Sequence, residues 1–226
     1  ASFIHYPINS NGQPMQQILG NLQKISTRMA VLPIDALILS WESSTLISAF
    51  EKPLRLQRAA AYKAKLRRWG EQQASWRATH QIIETLEQLV RQGVRVYTIA
   101  GNGGRGMVNT FSFAEGVITV GAQEAELKHF VADNAFVDLY EQASYTITRV
   151  DDHNGQPIGY DIDGDGCSDI PLHRLTGAGN PGKPLPEKIW PPLKGSSFAA
   201  PMALKRDLMT SERPLCSPLS VQVKHF

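Results

Sequence analysis

The chain reads as α/β, with an open, mostly parallel sheet and helices on both faces. Three observations predict this. Short continuous apolar runs alternate with amphipathic ones along the chain. The apolar runs have strand length and little polar alternation, as expected of strands covered on both faces. Strands separated by helices imply right-handed parallel crossovers. At 226 residues with 42% hydrophobic content the chain can bury one sizeable core, so a single domain spanning 1–226 is expected.

The elements follow in order. Met15, Ile18, Leu19, Leu22, Ile25 and Met29 recur at helical spacing, with Pro14 suited to the first turn and Asn11 as candidate cap. IDALILS, residues 34–40, is the first buried strand. Residues 43–75 are rich in Arg, Lys, Gln and Ala and helical by propensity, and they read as a helical insertion on the surface. Ile82, Ile83, Leu86, Leu89 and Val90 form the apolar stripe of a helix from about Trp76 to Gln92, which Gly93 stops in the left-handed conformation. VRVYTIAG and GVITVGA are the next two strands. Residues 145–192 carry most of the turn-forming Gly, Pro, Asn and Asp and read as a loop-rich insert with short hairpins.

Charge narrows the partners. With 23 Lys+Arg against 21 Asp+Glu, the net +2 excludes a binder steered to nucleic acid or membrane by its overall field. The basic helix between Lys52 and Arg68 reads as a solvated face, so no nucleic-acid partner is expected. Cys167 and Cys216 lie far apart with no metal-ligand spacing and form one disulfide or none. No apolar run reaches the roughly 18 residues of a transmembrane segment. The opening, ASFIHYPINS, lacks the basic and apolar segments of a signal peptide. The chain is therefore expected to be a processed form or to begin inside a longer protein.

In an open parallel sheet, ligands bind beyond the carboxyl ends of the strands. Two such ends stand out, LSWESS and IAGNGG. In the second, Gly101, Gly103 and Gly104 permit tight turns and present the Asn102 amide, which is suited to donate to a developing oxyanion. In GSSFAAP, Gly195, Ala199 and Ala200 allow close packing and Pro201 suits a first helical turn, so Ser197 stands at a helix N-terminus, where negative charge is favoured.

GSSFAAP resembles the G-T-S-M-A-A-P motif of subtilisin-like serine proteases, and IAGNGG resembles their oxyanion-hole segment A-A-G-N-x-G. GVITVGA is similar to the family's V-I-A-V-G-A strand, and IDALILSWESS occupies the place of the strand leading to its S-L-G-G substrate-binding edge. The resemblance runs from the first helix to about Pro214. It implies Ser197 as nucleophile and Asn102 as oxyanion donor, with Ser40, Trp41, Ala100 and Gly101 lining the edge where a polypeptide substrate pairs. It also implies an Asp and a His in D-[S/T]-G and H-G-T-H segments, to orient and act as the base. Neither motif occurs in the 226 residues. Placing FIHYPI just before the first helix makes the chain N-terminally truncated relative to the family. The Asp and His are then expected from an N-terminal fragment or second chain.

None of the six histidines, His5, His80, His129, His153, His173 and His225, precedes Gly-Thr or opens a helix, and His5 alone lies near the N-terminal strand. Glu42 and Ser43 stand where the family has Gly-Gly, with side chains placed to obstruct a peptide backbone. Trp41 either fills an altered specificity pocket or packs in the core. Two functions follow: a serine endopeptidase completed from elsewhere, or an inactive pseudoprotease that binds or scaffolds a protein partner.

DIDGDGCSDI places Asp161, Asp163, Asp165 and Asp169 around two glycines, as short loops do when they wrap oxygen ligands about a hard cation. The Cys167 carbonyl is a further candidate ligand, and Leu172 stands where a calcium hand has its bidentate Glu. The loop resembles the D-x-D-G-D-G-x-x-D loops of extracellular repeat proteins. Calcium is the expected ion, and a secreted or otherwise extracytoplasmic setting follows from it.

Overall fold

The structure is a computed structural model that describes residues 2–172, 186–208 and 222–224. His173, Cys216 and His225 lie outside these. In chain order the elements are β1 (Ser2–Ile4), α1 (Pro14–Arg28), β2 (Ala36–Leu39), β3 (Ser44–Leu46), α2 (Ala59–Gln72), α3 (Ala74–Arg91), β4 (Arg95–Ile99) and β5 (Met107–Asn109). They continue with β6 (Ile118–Ala122), β7 (Leu139–Glu141), β8 (Ser144–Asp151), β9 (Pro157–Asp161), β10 (Ile170–Pro171), β11 (Lys188–Lys194), α4 (Ser196–Leu208) and β12 (Gln222–Lys224). Where the sequence reads as one domain, the chain divides into two compact units.

The larger unit holds residues 5–143 and 195–208. Its sheet has strand order β2-β4-β6-β7, and every neighbouring pair is parallel. This is the parallel α/β sheet that the alternating runs predict. Ile18, Leu22 and Ile25 of α1 meet Ile82, Ile83, Leu86 and Leu89 of α3 on Val96 and Leu39, forming the core on one face. Tyr97 and Ile99 join Val120 and the small residues Ala199, Ala200 and Ala203 of α4 on the other. Three buried alanines let α4 approach the strands closely.

Three local expectations change. Gln13, not Asn11, stands at the N-cap of α1, and no side chain caps that end; Pro14 supplies the first turn. Residues 43–75 are not a surface addition. Their first stretch forms β3, antiparallel to β5, and α2 buries Tyr62 and Leu66 in the core while Arg67 and Arg68 remain exposed. The reason is an aromatic cluster in which Tyr62 lies 5.3 Å from Phe113 and Phe50 5.0 Å from Phe113. Pro201 falls inside α4 rather than in its first turn, because the helix already begins at Ser196.

The smaller unit holds residues 2–4, 144–172, 186–194 and 222–224 among those described. Its main sheet is antiparallel, in the order β10-β9-β8-β11, and β1 pairs in parallel with β12. The insert read as loop-rich is thus organised by strands. Tyr145 and Ile147 of β8 turn to one buried face at the two-residue period of a strand. Asp152 Oδ1 accepts from Asn154 N and Gln156 N, each at 2.8 Å, to close the β8–β9 turn.

Candidate active site and acidic loop

The candidate active site lies in the larger unit, where the loops after β2 and β4 meet the start of α4. Gly195 precedes the helix with φ +144°, a conformation that favours glycine, and a Cβ there would stand 3.2 Å from both the Oδ1 and Nδ2 atoms of Asn102. Asn102 Oδ1 accepts from Ser196 N at 2.9 Å and from Ser196 Oγ at 3.0 Å. Ser196 Oγ in turn accepts from Gly101 N at 3.2 Å. The first turn of α4 is therefore fastened to the β4 loop through Ser196, and Asn102 Nδ2 has no partner among the described residues.

Ser197 follows in the same turn and is half-buried. Its hydroxyl forms no hydrogen bond among the described residues. Ser40 Oγ donates to its carbonyl over a long 3.5 Å. That carbonyl would ordinarily accept from the N–H four residues on, which Pro201 lacks. The other end of α4 is held too, since Tyr97 Oη donates to Asp207 and Arg206 pairs with Glu141. Burial, and then the Asp207 carboxylate, pushes the Tyr97 phenol up to about 12.

The remaining edge residues have distinct parts. Ser40 is exposed. Trp41 is half-buried and packs against the core on the α1–α3 side. Ala100 is buried, its N–H donating to Val120 O at 2.9 Å. Gly101 uses both backbone groups internally, its N–H on Ser196 and its carbonyl accepting from Ala132 N at 2.9 Å.

Glu42 folds back on this loop. Its Oε2 accepts from Asn102 N at 2.9 Å and from Ser44 Oγ at 2.7 Å, and a Cβ on Gly101, whose φ is +104°, would collide with it. Behind both loops sits Asn109, fully buried. Its Nδ2 donates to Ile99 O at 2.7 Å, Thr98 Oγ1 at 3.3 Å and Trp41 O at 3.4 Å, while Oδ1 accepts from Ser43 N at 3.1 Å and Phe111 N at 3.3 Å. This side chain joins the ends of β2 and β4. Sequence reasoning passed over Asn109 and Ser196. A polar residue inside the apolar run MVNTF and a second serine in GSSFAAP were the available signals.

Of the described histidines, His80 pairs with Glu84 at 3.5 Å and His153 Nε2 lies 3.0 Å from Asn154 Nδ2. None is hydrogen-bonded to Ser197.

The acidic loop belongs to the smaller unit. Asp161, Asp163 and Asp169 each place one carboxylate oxygen within 4.8 Å of the others. Asp165 is not in that group; its Oδ1 accepts from Cys167 N at 2.9 Å. Cys167 takes part in a disulfide. Asp161 is buried, with Oδ1 accepting from Gly164 N at 2.7 Å and Oδ2 from Gly166 N at 2.8 Å, while Asp169 Oδ2 accepts from Ile162 N at 2.9 Å. An all-carboxylate donor set suits a hard cation and does not by itself select calcium.

Among the described residues no helix is long and apolar enough to cross a membrane. Compared with known proteins, the chain matches no family model and no curated protein sequence.

Proposed function

We propose that the chain is the nucleophile-bearing part of a subtilisin-like serine endopeptidase. Ser197 attacks the carbonyl of a polypeptide substrate, its proton passing to a histidine oriented by an aspartate, both supplied by a segment or chain outside this sequence. Asn102 Nδ2 donates to the oxyanion that forms as the carbonyl π bond opens. The orientation of Asn102 carries the reading. Both Ser196 donors hold Oδ1, which leaves the donor end without a protein partner beside the turn that carries Ser197. The α4 N-terminus adds favourable potential for negative charge.

A second reading is a pseudoprotease that binds a protein partner. It is favoured by one observation, the Glu42 carboxylate lying against Asn102 N, where it opposes negative charge on a substrate oxygen. Labelling the natural, full-length protein with a fluorophosphonate decides between them. A covalent adduct on Ser197, absent from Ser197→Ala, is the expected result; a folded protein that forms none is the pseudoprotease.

The same proposal places calcium at Asp161, Asp163 and Asp169, and with it a secreted or extracytoplasmic setting. The labelled sample then melts at a higher temperature in calcium than in chelator, and Asp161→Asn abolishes the difference.

A further inference from the structure

We infer that Glu42 is a specificity-determining residue, which makes the loops after β2 and β4 select a ligand carrying an amine, amidinium or guanidinium group. What happens to that ligand rests on the acyl-transfer reading; its recognition does not.

Glu42 is half-buried, and its two oxygens are unequal. Oε2 holds Asn102 N and Ser44 Oγ. Oε1 has no hydrogen bond, and no Lys, Arg or His pairs with this carboxylate among the described residues. Two neutral donors on one oxygen leave the carboxylate without a counter-charge in a site partly withdrawn from water. A cation brought to Oε1 gains a charge-assisted hydrogen bond and breaks neither existing contact. An apolar group there would strip the remaining water from Oε1 with nothing in return, and an anion would be repelled. The sign of the charge therefore chooses the ligand.

The carboxylate is also tied to the rest of the site. The residue whose N–H it holds, Asn102, is the residue whose side chain Ser196 fixes, one position before Ser197. A ligand with its cation at Glu42 and an oxygen at Asn102 Nδ2 is bound at both ends of a single residue. For a polypeptide this means a lysine or arginine side chain next to the carbonyl presented to Ser197.

The test titrates p-aminobenzamidine, read by its fluorescence, into the full chain carrying Ser197→Ala, and into the same chain with Glu42→Gln added. Glutamine keeps an oxygen for Asn102 N–H, and an unchanged melting temperature verifies that the loop is intact. Saturable binding to the first protein, weakened about tenfold or more in the second, is expected. The neutral isostere p-aminobenzamide should bind neither. Equal affinity in the two proteins, equal binding of the neutral compound, or no saturable binding of the amidinium overturns the inference. So does tighter binding of both compounds after Glu42→Gln, which would make Glu42 a plug closing the Gly101 turn. Because Ser197 is absent from both proteins, these outcomes are read independently of whether a fluorophosphonate labels the natural one.

Discussion

Asn109 shows what a single buried amide does for the site. Its five hydrogen bonds join the loop carrying Trp41 and Ser43 to the strand end at Thr98 and Ile99. Asn109→Ala leaves donors and acceptors on both loops unpaired in the core. The expected cost is about 3 kcal/mol, read as a lower denaturant midpoint with an unchanged slope. A residue of this kind is hard to find in one sequence, because its partners are set by which strands become neighbours. The turns that carry Asn102 and Ser197 were legible for the opposite reason: glycines, small residues and a proline surround them in short motifs. In the acidic loop Asp161, Asp163 and Asp169 converge although each also accepts a backbone N–H, while Asp165 lies outside that group with its Oδ1 on Cys167 N.

At the scale of the element, α4 positions the candidate nucleophile. It is fastened at its start through Ser196 and near its end through Tyr97, Asp207, Arg206 and Glu141. Pro201 within it deletes one helical hydrogen bond, whose acceptor is the carbonyl of Ser197. Pro201→Ala restores that donor and frees Ser40 Oγ, so the variant should be more stable by about 2 kcal/mol after the gain in unfolded-chain freedom is subtracted. Thermal and urea unfolding measure it, and a drop in stability would mean that the proline fits its place in α4 without strain. The helix periodicities of α1 and α3 were readable because an apolar stripe is local information. The runs at 34–40, 94–101 and 116–122 hold β2, β4 and β6 with no end displaced by more than two residues, whereas FIHYPI is strand only to Ile4 and pairs with β12. The buried role of α2 was not readable, since a helix rich in Arg and Lys can still place Tyr62 and Leu66 on one face.

For the whole molecule, stability is limited at both ends of the pH scale, at the alkaline end by Tyr97 together with Tyr140 and Tyr62, whose phenols are raised as well. Burial by itself would raise Glu87, but the Lys63 ammonium and the Glu115 N–H outweigh it and hold the carboxyl below its ordinary 4.5. A depressed folded pKa contributes stability that is present above 4.5 and lost as the pH falls through the folded value. Tyr97 acts at the other end. Its phenol is raised to about 12 from 10.0, so the unfolded chain gives up this proton first and stability falls as the pH rises from 10 towards 12. Unfolding free energies measured across pH should therefore decline on both sides, with Glu87→Gln making the acid limb shallower and Tyr97→Phe making the alkaline one shallower, the remainder of the latter coming from Tyr140 and Tyr62. A limb unchanged by its substitution would refute the assignment. The division into two units also belongs to this scale. A turn-rich composition announces many chain reversals, but an antiparallel sheet is recognised only when the strands between the turns pair, as β8 does with β9 and β11.

The sequence by itself determined the alternation of helices and buried strands, the parallel sheet, and the small-residue turns at which Asn102 and Ser197 stand. These follow from periodicity and backbone freedom, which act over a few neighbouring residues. Only the tertiary structure decided that Glu42 would hold the N–H of Asn102, 60 positions on, and that Ser196 would take the other side of the same residue from 94 positions away. Such contacts come from closing long loops around a common core, and no local pattern of residues encodes which atoms that closure brings together.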